Sequence, residues 1–151
     1  MKQLLSVLFF CALPFFAVAQ IENPVNWNFS SKKINANTYE IHMTAIIDAG
    51  WHIYAQESGE GPIPTSFSLM KNAIVTPAGK VLEQGSLKKV YDTNYKTDLK
   101  YYEHKVDFVQ QVKVKGTGST KLKGTVEFMA CDDHQCLPAK KVDFAISIGG
   151  K

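Results

Sequence analysis

Cys131 and Cys136 are the residues of this chain best equipped for chemistry. They enclose four polar residues in the run Cys131-Asp132-Asp133-His134-Gln135-Cys136. Such a pair allows three chemistries: a structural disulfide, a dithiol that exchanges with other disulfides, or part of a metal site, since Cys, His and carboxylate are all ligands. Metal is disfavoured, because two cysteines and one histidine so close together are hard to arrange around one ion, and no partner motif lies elsewhere. A disulfide needs Cα atoms roughly 4.4–6.8 Å apart, which residues facing each other across a tight turn can meet. Closing a loop of about six residues constrains the unfolded chain by roughly 2 kcal/mol, against about 4.7 kcal/mol for a loop near 100 residues. The short loop is therefore a weak staple and an accessible redox switch. Asp132 and Asp133 are expected to disfavour a thiolate, and protonated His134 to oppose them. There is no C-x-x-C motif and no βαβ pattern, so thioredoxin-type chemistry within the chain is not expected.

The compartment bears on whether such a bond persists. Residues 1–19 read MKQLLSVLFFCALPFFAVA, a basic start followed by an apolar run that closes on the small residues Ala17 and Ala19. This is the pattern of a secretory signal, with cleavage expected before Gln20. About 15 apolar residues fall short of the roughly 20 that a membrane-spanning helix needs, so stable membrane insertion is not expected. Export removes Cys11 and leaves Cys131 and Cys136 where disulfides survive. The formal charge of +3, from 17 Lys+Arg against 14 Asp+Glu, comes with no long basic cluster. Nucleic acid is not an expected partner.

The elements that must position the pair are strands. Apolar residues alternate with polar ones at Tyr39, Ile41, Met43, Ala45 and Ile47. The same period runs through Val106, Phe108, Val112 and Val114, through Leu122, Val126, Phe128 and Ala130, and through Val142, Phe144, Ile146 and Ile148. Period-two alternation predicts strands with one face in a core and one in water. Asp48-Ala49-Gly50, Gly59 to Pro64, Pro77-Ala78-Gly79 and Gly116-Thr117-Gly118 read as separators. No window has a helical period. With 151 residues, 45% hydrophobic and 21% charged, the chain predicts one folded domain over residues 20–151, an all-β antiparallel sandwich. Cys131 then falls at the end of one strand and Cys136 before the last. The segment from Lys88 to Tyr102 reads as irregular, and its four tyrosines are more than a solvated loop requires.

Three stretches resemble the N-terminal periplasmic domain of the thiol:disulfide interchange protein DsbD, a disulfide reductase. They are Gly50-Trp51-His52-Ile53-Tyr54 with Gly61 to Ser66, Val90-Tyr91-Asp92-Thr93-Asn94-Tyr95, and Val126 to Cys131 with Cys136-Leu137-Pro138. The resemblance implies an immunoglobulin-like sandwich in which Cys131 and Cys136 are the reactive pair of a thiol:disulfide oxidoreductase, without cofactor or metal. It implies that Cys136 forms the mixed disulfide with a partner, and that a cap loop with an aromatic tip shields the pair. Asp92 to Tyr95 is the best match to the cap, with Tyr95 or Tyr91 as the covering ring; His52 and Tyr54 fall beside the cysteines. The implied partners are periplasmic thioredoxin-fold proteins, including disulfide isomerases and cytochrome c maturation factors, and a membrane electron donor. With no transporter or thioredoxin segment in this sequence, that donor is expected to be a separate protein, and the domain a periplasmic monomer. Four residues lie between the cysteines here, where the best-known members have five.

Overall fold

The computed structural model describes residues 22–149, so the expected signal segment lies outside the described residues. Eleven strands follow one another: β1 (Val25–Asn35), β2 (Thr38–Ile47), β3 (His52–Tyr54), β4 (Ser66–Leu69), β5 (Val75–Gly85), β6 (Lys88–Asp92), β7 (Thr97–Glu103), β8 (Lys105–Val114), β9 (Thr120–Phe128), β10 (Ala130–Cys131) and β11 (Lys140–Ile148). All strand pairs are antiparallel. One layer is a four-stranded sheet in the order β1-β2-β8-β5. The other consists of β11-β9-β4 and β10-β3-β7-β6, in which β10 continues the line of β9 after a break at Met129.

The alternating positions fill the space between the layers. Ile41, Met43 and Ala45 of β2 and Val106, Phe108 and Val112 of β8 have no exposed surface. They meet Leu122, Val126 and Phe128 of β9 and Ile146 and Ile148 of β11. Trp27 on β1 sits in an aromatic seam with Phe67, Phe108 and Phe128, with ring centroids 5.4–6.0 Å away. Side chains at positions i and i+2 of a strand share a face, so one register places every one of these rings and branched chains inward.

Two segments differ from expectation. Pro77-Ala78-Gly79 does not separate strands; it lies inside β5, where the register with β8 shifts between Ala78 and Leu82. Gly79 takes φ +75°, a conformation that glycine reaches without steric cost, and the extra residues are absorbed as a bulge. The tyrosine-rich segment is not irregular either. β6 and β7 form a hairpin, from Lys88↔Tyr101 to Asp92↔Thr97, whose turn is Thr93 to Lys96. The sequence hides it because Lys, Asp and Thr fill the outward positions of a short edge pair.

Candidate functional site

Local chain chemistry builds the site from two turns. Asp132 Oδ1 accepts the backbone N–H of His134 and of Gln135, both at 2.7 Å, and the Asp132 N–H donates to the Gln135 carbonyl at 2.9 Å. This folds the C-x4-C run into a tight turn and pairs Cys131 with Cys136 as an antiparallel bridge. The two are joined by a disulfide, with Cα atoms 4.0 Å apart, closer than the expected range because the turn brings the two backbones together as a bridge pair. The turn between β6 and β7 uses the same device: Asp92 Oδ1 accepts the N–H of Asn94 at 2.8 Å and of Tyr95 at 3.0 Å. Aspartate is favoured at such places because its short carboxylate reaches backbone donors two and three residues on. Those bonds hold the Asp132 carboxyl below its ordinary pKa.

The two sulfurs live in different surroundings. Cys131 is 1% exposed and packs with Tyr54 and Leu99 in a small apolar cluster separate from the main core, flanked by Tyr101 and Met129. Cys136 is exposed. β3 lies beside the pair, with His52 directly opposite Cys131 and Ile53 opposite Ala130. Ile53 of that strand and Trp51 just before it enter the main core, while His52 and Tyr54 line the cavity with the cysteines. His52 Nε2 is 3.3 Å from the Tyr54 hydroxyl, and its ring lies 4.6 Å from that of Tyr101.

A cavity of about 480 Å³ lies over the pair, with the β6–β7 turn lining one side of it. Cys131, Cys136, His52, Tyr54, Asp92, Tyr95 and His134 all contribute to it. Tyr91 does not; it points outward from β6 with 62% of its surface exposed. Tyr95 is itself half exposed and lies over Gly61, where a Cβ would overlap its ring. Leu99, Tyr101 and Glu103 on β7 also line the cavity and were not singled out from the sequence. Their signal is the shared parity of residues 99, 101 and 103, readable only once β7 is known to be a strand.

The electrostatics is mixed. Burial lowers the pKa of His52, opposed by the charges of Glu103, Asp133 and Asp132. Burial raises the pKa of Tyr54, with further contributions from Tyr95, Asp92 and Tyr101, so its hydroxyl keeps its proton. Lys88 donates to Glu103 at 2.7 Å and holds that carboxyl below its ordinary pKa. Among the described residues no cluster of three His, Cys, Asp or Glu side chains is arranged to hold a metal ion.

The sequence pattern described as "Thiol:disulfide interchange protein DsbD, N-terminal" matches residues 18–147, nearly the whole chain. The chain belongs to the DsbD N-terminal domain family. Two solved structures share the fold of this DsbD N-terminal domain. The reduced N-terminal domain of DsbD from Neisseria meningitidis aligns with a TM-score of 0.51 at 17% identity, covering 76% of this chain and 87% of that one. The N-terminal periplasmic domain of ScsB from Proteus mirabilis aligns with a TM-score of 0.52 at 15% identity. That match covers 83% of this chain, which spans only 45% of the ScsB domain. No curated protein matches by sequence. The fold is thus the immunoglobulin-like antiparallel sandwich of a thiol:disulfide interchange domain. Of its two bonded cysteines Cys131 is buried and Cys136 exposed, and both line the cavity that Asp92, Asn94 and Tyr95 also line.

Proposed function

We propose that the chain, exported and trimmed to residues 20–151, is a periplasmic exchange domain. It passes electrons between a membrane electron carrier and thioredoxin-fold partners through Cys131 and Cys136. One observation carries this reading: the bonded pair is asymmetric, with Cys131 1% exposed and Cys136 open to solvent. In the reduced protein the Cys136 thiolate attacks a sulfur of the partner's disulfide, and the partner's second sulfur leaves as a thiolate. Cys131 then attacks Cys136 Sγ; the 131–136 bond forms, and the bond to the partner breaks with its electron pair on the partner's sulfur. Two electrons and two protons have moved to the partner. The rigid sandwich holds the pair in place, and the Tyr95 turn opens when a partner docks.

The test is redox equilibration of purified protein with a thioredoxin-fold protein of known potential. Exchange is expected, with a potential among those of known exchange proteins, about −120 to −270 mV. A bond that stays closed below about −300 mV would overturn the reading and leave a sandwich whose disulfide only pins the turn.

A further inference from the structure

Every partner that Cys136 captures must be released by Cys131, and that step demands a thiolate from the most buried group of the site. Cys131 sits among Tyr54 and Leu99, an apolar setting that favours the neutral thiol. The carboxylates that follow it in the chain, Asp132 and Asp133, favour it further. Released into these surroundings, the thiol needs somewhere to send its proton.

On the strength of the exchange function proposed above, we infer that His52 is the proton acceptor for Cys131 in the resolving step. Cys131 and His52 are directly opposed across the β10–β3 pair and both line the cavity. Directly opposed residues carry their Cβ atoms about 4.5–5.5 Å apart on the same face, within reach for a thiol and an imidazole. The other groups around the cavity are unsuited to the task. Tyr54 is held protonated, and Glu103 is occupied by Lys88. Asp132 and Asp92 are committed to their turns. Asp133 and His134 line the cavity too, but both are exposed and neither is paired with Cys131 across strands as His52 is. When Nε2–H donates to the Tyr54 hydroxyl oxygen, at 3.3 Å, Nδ1 is the lone-pair nitrogen. Burial of the ring against Tyr101 favours the neutral imidazole over the cation. The step then balances: the S–H proton of Cys131 passes to His52, and the sulfur's electron pair forms the bond to Cys136 Sγ. The partner's sulfur departs with the pair from the broken bond, and the imidazolium returns its proton to water or to that thiolate.

The experiment follows reduced protein mixed with a small aromatic disulfide, whose first thiolate is released on attack by Cys136 and its second on resolution by Cys131. In the wild type the second phase should rise with pH, through an inflection below the ordinary histidine value of about 6.5, to a plateau. His52→Gln and His52→Tyr, the latter keeping an aromatic ring, should slow the second phase at neutral pH by about 100-fold and replace the plateau with a continuous rise. The first phase should stay within about twofold of wild type, which also reports that the site has folded. A second phase whose rate and pH profile survive in either variant overturns the role of His52. A wild-type protein that releases no thiolate in either phase would instead overturn the exchange function itself.

Discussion

At the scale of single residues, the proposed cap rests on the contact between Tyr95 and Gly61. The ring lies where a Cβ on residue 61 would be, and Gly61 has φ +127°, so alanine there is disfavoured twice over. Tyr95→Ala and Gly61→Ala should therefore act alike, both speeding reaction of the pair with oxidised glutathione by several-fold; an unchanged rate in Tyr95→Ala would remove Tyr95 from the cap. Asp132 makes a second prediction, on pH. Its carboxylate accepts two backbone N–H groups in the folded turn, and its pKa lies below the ordinary 3.8 as a result. A lowered folded pKa means that the stabilisation is fully present above about pH 3.8 and is lost as pH falls through the lower folded value. The amide resonances of His134 and Gln135 should hold their positions on acidification past pH 4 and move only below it. Asp132→Asn, which keeps the accepting oxygen, should preserve the turn at all pH values, whereas Asp132→Ala should open it. Tyr91, equally eligible in the sequence, points into solvent because it is one residue out of phase with Asp92 on β6.

Among the elements, the hairpin β6–β7 matters most, because it carries one wall of the cavity yet belongs to the short-stranded sheet β10-β3-β7-β6. Glu83 on β5 fastens it to the main sandwich. One of its oxygens accepts the Tyr102 hydroxyl at 2.7 Å, and the other accepts the backbone N–H of Gln56 at 2.7 Å and its side-chain amide at 3.2 Å. Tyr102 is 2% exposed, so its hydroxyl would have little water to turn to if Glu83 were removed. Tyr102→Phe should cost about 1–2 kcal/mol and Glu83→Ala more, since it strands two sets of donors. Denaturant unfolding would measure both, with amide exchange in β7 accelerating first. This clasp was not legible in the sequence: a glutamate in a stretch without clear alternation gives no sign of a partner 19 residues away. What was legible is what period two can carry. The buried faces of β2, β8, β9 and β11, the facing of His52 and Tyr54 opposite to Trp51 and Ile53, and the turn between the cysteines all follow from parity. β1, β5 and β6 escaped because edge strands bury little, so polar and apolar residues mix freely on both faces, and β7 because it has buried residues at 99 and 102, of opposite parity.

For the molecule as a whole, the question is how strongly the fold and the disulfide depend on each other. The main core, built around Phe108, Ile41, Met43 and Val126, contains neither cysteine; Cys131 belongs to the small cluster with Tyr54 and Leu99. The bond spans a sequence separation of only 5 residues, so it restricts the unfolded chain little, by roughly 2 kcal/mol. Coupling of this kind is reciprocal: whatever the bond adds to folding, folding adds to the bond. About 2 kcal/mol corresponds to roughly 45 mV in a two-electron couple, against about 100 mV for a bond closing a loop of near 100 residues. A sandwich that hardly needs its disulfide is thus one that can surrender it repeatedly without unfolding. Reduced protein, or the Cys131→Ser/Cys136→Ser double variant, should unfold in one cooperative transition, at most about 2–3 kcal/mol less stable than the oxidised form, with the denaturant slope nearly unchanged. Loss of the cooperative transition on reduction would mean that the bond holds the sandwich together, and a protein that unfolds each time it takes up electrons could not serve as their carrier.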